Sequence, residues 1–143
     1  MHTGPDFYNI DALLSEEERL VRETLRSFVS REVLPVIEAA AREGTFPMSL
    51  AKGMAELGVF GVNLPEAYGG GGANNIVYGL MMQELERGDS GVRSFASVQN
   101  SLVMYPIHRF GTEEQRLRWL PKLATAEAIG CFGLTEPDHG SDP

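Results

Sequence analysis

Apolar positions along the chain recur at helical spacing in several stretches, divided by glycine and proline. Ser15-Glu16-Glu17-Glu18 has the Ser-x-x-Glu form of a capping box, and its three acids suit the positive end of a helix dipole. The predicted helix carries Val21, Leu25, Phe28 and Val29 on one face, with Arg19, Arg22, Glu23 and Arg26 opposite. Pro35 has no backbone donor, so a kink or a new helix start is predicted between Val33 and Val36, and Gly44 ends the run. A short helix over 49–57 packs Leu50, Met54 and Leu57 and stops at Gly58.

A connector from Val59 to Leu64 leads to Pro65 and to four successive glycines, Gly69 to Gly72, a loop that needs positive φ. No Lys-Ser or Lys-Thr follows them, which argues against a phosphate loop. From Asn74 or Asn75 a strongly apolar helix runs through Ile76, Val77, Leu80, Met81 and Leu85. At helical spacing Met81-Met82 reads as packing more readily than as the lining of an acyl pocket. Asp89 or Ser90 caps the next helix, whose predicted stripe is Phe95, Val98, Leu102, Val103 and Ile107, with Pro106 limiting or kinking it. Thr112-Glu113-Glu114-Gln115 is a second capping-box form, opening a helix that offers Leu117, Leu120 and Leu123 to the core with Trp119 beside them, until Pro121 truncates it.

The pattern then changes. Cys131 to Leu134 reads as the start of a buried strand, with Cys131 a small buried hydrophobe, and from Thr135 the chain turns into small, polar and turn-forming types. Backbone N–H groups there, beside the Thr135 and Ser141 hydroxyls, suit a partner rich in acceptors, such as a phosphate or a heteroaromatic ring. A tight surface turn is the plainer reading of the same residues.

Composition narrows the function. With 143 residues, 43% of them hydrophobic, one domain is the default, and a net charge of −8 repels nucleic acid and anionic membrane surfaces. No stretch is long and apolar enough to span a bilayer, and Met1 to Asp6 resembles neither a secretory signal nor a transit peptide. A lone cysteine closes no internal disulfide and suits a reducing compartment, for which cytoplasm is the default. His2 and His108 have no ligand partners at useful spacing, so no metal is expected.

Arg93 stands out, because an arginine near the start of a helix opposes the local dipole. A bound carboxylate would account for it, since guanidinium pairs with carboxylate in bidentate fashion; an ordinary ion pair with Glu86 or Asp89 would also do so.

Two motifs carry a family resemblance. Leu134-Thr135-Glu136-Pro137-x-x-Gly140-Ser141-Asp142 resembles the flavin-binding signature of acyl-CoA dehydrogenases, and Pro65-Glu66-Ala67-Tyr68-Gly69-Gly70 is similar to an upstream motif of that family. Within it, Glu84 to Ser94 and Ser97 to Met104 are worded most like glutaryl-CoA dehydrogenases, and the likeness runs from about Ser15 to Pro143. The resemblance implies an all-α, helical-bundle N-terminal domain over 1–128, followed at 129–143 by the first strand and FAD-binding loop of a β domain. It further implies that Phe132, Gly133, Leu134, Thr135, Glu136, Pro137, Gly140 and Ser141 hold FAD, and that Arg93, Ser94, Ser141 and Glu86 bind the acyl-CoA substrate. His139, in the variable part of the motif, is expected to be a solvated loop residue.

The implied reaction oxidises glutaryl-CoA, with loss of its distal carboxylate, to crotonyl-CoA. Electrons pass to an electron-transfer flavoprotein, and the full-length assembly is a homotetramer. The family's catalytic glutamate lies in a later helical domain with no counterpart in these residues, so the chain by itself is expected to be inactive. A dehydrogenase of another short-chain or branched acyl-CoA and a non-enzymatic helical interaction module remain alternatives.

Overall fold

The computed structural model describes residues 7–142; His2, the leader region Met1 to Asp6 and Pro143 lie outside the described residues. Seven α-helices enclose the core, in the order α1 (Glu16–Phe28), α2 (Leu34–Glu43), α3 (Ser49–Glu56), α4 (Asn75–Gly88), α5 (Ser90–Ser97), α6 (Tyr105–Phe110) and α7 (Glu113–Ala124). Both predicted capping boxes are present. The Ser15 hydroxyl accepts from Glu18 N–H while the Glu18 carboxylate takes Ser15 N–H at 2.8 Å, and Thr112 and Gln115 repeat the arrangement on α7. Asn74 caps α4 by accepting Val77 N–H, and its amide also donates to Glu18, tying the starts of α1 and α4 together.

The two prolines act as expected, by a particular device. Val29–Val33 and Val98–Met104 are π-helical, so that Leu34 N–H reaches back to Val29 O and Tyr105 N–H to Asn100 O. Each wide turn ends two residues before a proline, Pro35 or Pro106, and absorbs the missing donor without breaking the helix. The second π-segment also shifts the packing face. Leu102 lies on the predicted apolar stripe but is exposed, and the inward positions belong to Val92, Ala96, Gln99, Asn100 and Met104. Pro121, expected to end α7, instead sits inside it, and the helix runs on to Ala124. Leu117 and Trp119 point outward, because the buried stripe of α7 is Leu120, Leu123 and Ala124 and the half-buried Arg116 occupies the turn before it.

The core joins Leu25, Phe28, Val29 and Val33 to Leu50, Met54, Val59 and Phe60, then to Met81, Leu85, Val92, Met104 and Leu120. Helix α1 packs along α4 and α4 along α5. At the first of these contacts Glu84, only 1% exposed, is held by Arg26 (2.7 Å) and Arg87 (3.0 Å), and Arg87 also donates to Arg26 O and Ser30. The Pro65 to Gly70 motif forms a 3-10 turn at Glu66–Tyr68. Tyr68 donates to Glu113 at the start of α7, and a side chain on Gly70 would lie 2.1 Å from Leu64 O, so only glycine fits.

Candidate functional site

Two clusters correspond to the predicted site residues. The first is the corner between α4 and α5. Asp89 ends α4 and caps α5 by accepting Val92 N–H, which leaves Arg93 as the fourth residue of α5, within reach of the last turn of α4. Arg93 Nε donates to Glu86 Oε2 at 2.7 Å, and Ser90 Oγ donates to Glu86 Oε1 at 2.6 Å. Those bonds, Arg93's first, hold the Glu86 carboxyl below its ordinary 4.5. The other edge of the guanidinium has only a long contact, Nη1 to Ser97 Oγ at 3.4 Å. Arg93 is 36% exposed, so Glu86 orients a cation that still faces solvent. Ser94 lies half-buried beside it, its carbonyl accepting from Ser97 Oγ.

The second cluster is the closing segment. Residues 131–135 form no strand, Cys131 is exposed rather than buried, and the only pairing nearby among the described residues is the bridge between Glu136 and His139. The strand and the burial were both read from the apolar run Cys131 to Leu134; Phe132 and Leu134 are in fact each 49% exposed. An apolar run is buried only where a second layer covers it, and the described residues leave this one about half exposed. Backbone N–H groups of Cys131 to Thr135 have no hydrogen-bond partner among the described residues, and all five residues are exposed. Gly133, Leu134, Glu136, His139 and Asp142 line an open cavity of about 450 Å³. Phe132, Thr135, Pro137, Gly140 and Ser141 are likewise exposed, and His139 is a solvated loop residue as expected. Among the described residues no hydrogen bond or ion pair joins Arg93 or Ser94 to this loop, and none groups three or more His, Cys, Asp or Glu side chains for a metal.

Sequence reasoning missed two adjacent carboxamides on the second π-segment, Gln99 and Asn100, both buried. Asn100 takes Gly61 N–H at 2.6 Å and donates to Val59 O and Ala96 O, fixing the connector that leads to the Pro65 motif. Gln99 reaches the other way, toward the closing segment. Their signal in the sequence is two neighbouring amides inside an otherwise largely apolar helical run.

The described residues form an all-α domain followed by an exposed loop, and comparison with known proteins supplies the family. Residues 15–127 match the model for acyl-CoA dehydrogenase, N-terminal domain, and the chain belongs to that family. It is 38% identical over 129 residues to the mitochondrial short-chain specific acyl-CoA dehydrogenase of Bos taurus, an alignment covering 90% of this chain and 31% of the relative. Among solved structures, a glutaryl-CoA dehydrogenase from Mycobacterium smegmatis in complex with FADH2 is 50% identical with a TM-score of 0.90, covering 94% of this chain and 35% of that one. The butyryl-CoA dehydrogenase of Megasphaera elsdenii is 30% identical with a TM-score of 0.84, covering 96% and 36%. The chain thus spans about a third of the length of the relatives it matches.

Proposed function

We propose that this chain is the substrate-recognising helical domain of an FAD-dependent glutaryl-CoA dehydrogenase. The observation that carries the reading is the α4–α5 corner, where Glu86 fixes one edge of Arg93 and leaves the other, beside Ser94, open to an incoming carboxylate. Such an edge suits the distal carboxylate of a dicarboxylic acyl chain, and the 50% identity to the mycobacterial glutaryl-CoA dehydrogenase supports it.

The closing loop fits a flavin by the chemistry of its donors. The free N–H groups of 131–135 and the Thr135 hydroxyl match a ring edge that carries several acceptors, with Phe132 and Leu134 supplying apolar contact. When bound, FAD supplies the acceptor for the hydride that leaves the β carbon. The residues of this chain do the rest of the local work: Phe132 to Pro137, with Gly140 and Ser141, hold the cofactor, while Arg93, Ser94, Ser141 and Glu86 orient the acyl-CoA. The proton at the α carbon is taken by a base outside this chain. The products would be crotonyl-CoA and carbon dioxide, with the two electrons leaving to an electron-transfer flavoprotein, and the full-length enzyme would be a cytoplasmic homotetramer.

A second reading is favoured by one observation. Arg93 already has a partner in Glu86, so a plain short acyl chain would leave it satisfied, as the likeness to short-chain and butyryl enzymes suggests. Steady-state kinetics of the full-length enzyme separate the two. Arg93→Ala is expected to raise KM for glutaryl-CoA roughly a hundredfold while changing butyryl-CoA turnover less than about threefold. Equal losses on both substrates would reject the dicarboxylate reading.

A further inference from the structure

Gln99 lies 1% exposed in the second π-segment, and its carboxamide makes three hydrogen bonds, both N–H donors and one oxygen lone pair, all to one stretch of chain. Nε2 donates to Leu123 O at 3.0 Å, at the end of α7, and to Ala128 O at 3.1 Å, after the turn that follows. Oε1 accepts Gly130 N–H at 2.9 Å, immediately before the row of free donors begins. Four residues further along the same π-segment, Val103 presses on Gly130 so closely that a Cβ there would lie 2.3 Å from its Cγ1. One short element therefore fixes both the position of Gly130 and the direction in which the chain leaves it. That element is continuous with α5, which carries Arg93 and Ser94, whereas the loop beyond Gly130 has no comparable anchor to the helices among the described residues.

We propose that Gln99 is a positioning residue that sets the flavin-binding loop in register with the acyl-recognition helix, deepening the functional reading above and resting on it. It touches neither flavin nor substrate. It acts through the Gly130 amide and the two carbonyls that bracket the exit from α7. A plain core fastener would affect folding alone; a register clamp would affect the cofactor even where the fold is intact.

The test uses the full-length flavoenzyme carrying Gln99→Met, which keeps the volume and removes all three bonds, and Gln99→Asn, whose shorter arm keeps an amide in the core. If Gln99→Met does not fold, Gln99→Asn gives the reading. FAD affinity is measured by titration of the flavin-free protein well below its unfolding midpoint, together with the absorption spectrum of the bound flavin. The expected result is a Kd for FAD raised about tenfold and a bound-flavin spectrum shifted toward that of free flavin. A lower unfolding midpoint with unchanged FAD affinity and spectrum overturns the clamp and leaves the functional reading standing. A wild-type enzyme that binds no flavin overturns both.

Discussion

The interior between α1 and α4 and the loop at 131–142 are opposites in how they meet their polar groups. In the interior, a carboxylate that is 1% exposed has two arginines, Arg26 bonded to it through Nε and Nη2 and Arg87 bonded also to Arg26 O and Ser30, so the charges are satisfied from within. In the loop, apolar side chains are half exposed and five successive N–H groups have no partner among the described residues. The first region carries its own reason to fold. The second has few contacts of its own, which suits the ligand-binding role proposed for it.

The largest effect that would sharpen this contrast is on stability. Glu84→Ala leaves Arg26 and Arg87 facing a cavity without their carboxylate, and because both guanidinium groups keep some solvent the expected loss is about 2–3 kcal/mol in denaturant unfolding. Leu134→Ala in the loop should cost under about 0.5 kcal/mol in the same experiment, since half of its surface is already wet. Equal losses would break the contrast.

A smaller effect concerns pH. Arg93 and Ser90 lower the Glu86 pKa, so this group stabilises the folded chain above pH 4.5 and loses that contribution as pH falls through its folded value. Carboxyl titration by NMR should place Glu86 below 4.5, and Arg93→Ala should return it toward that figure. A Glu86 that titrates normally in the unaltered protein would mean that the ion pair at this corner is not populated.

The same contrast explains what could be read from the residues. Ser15, Thr112, Asn74 and Asp89 announce their helices because a cap is a local bond between residues three apart. The π-segments were legible only as disturbances near Pro35 and Pro106, since the widened turn depends on what packs against it. That widening is why Leu102 turns outward and Gln99 inward, against the helical stripe. Proline in a sequence predicts a helix end, yet α7 accommodates Pro121, with the Thr125 hydroxyl and Thr125 N–H both bonded to Pro121 O. Cys131 to Leu134 has the composition of a buried strand, but burial is a property of two surfaces and one chain segment specifies only its own. At the α4–α5 corner residue type offers Glu86 or Asp89 as an ion-pair partner for Arg93 beside a bound carboxylate, and the structure pairs it with Glu86, while Ser90 and Ser97 emerge only from the geometry.

The central claim, that the free amides of the closing loop are flavin donors, is tested most directly by hydrogen exchange on the full-length protein with and without FAD. Amides of 131–135 should exchange at least about tenfold more slowly when FAD is bound, while those of Met54 and Leu85 in the core keep their rates. Loop amides that exchange at the same rate in both forms would contradict it.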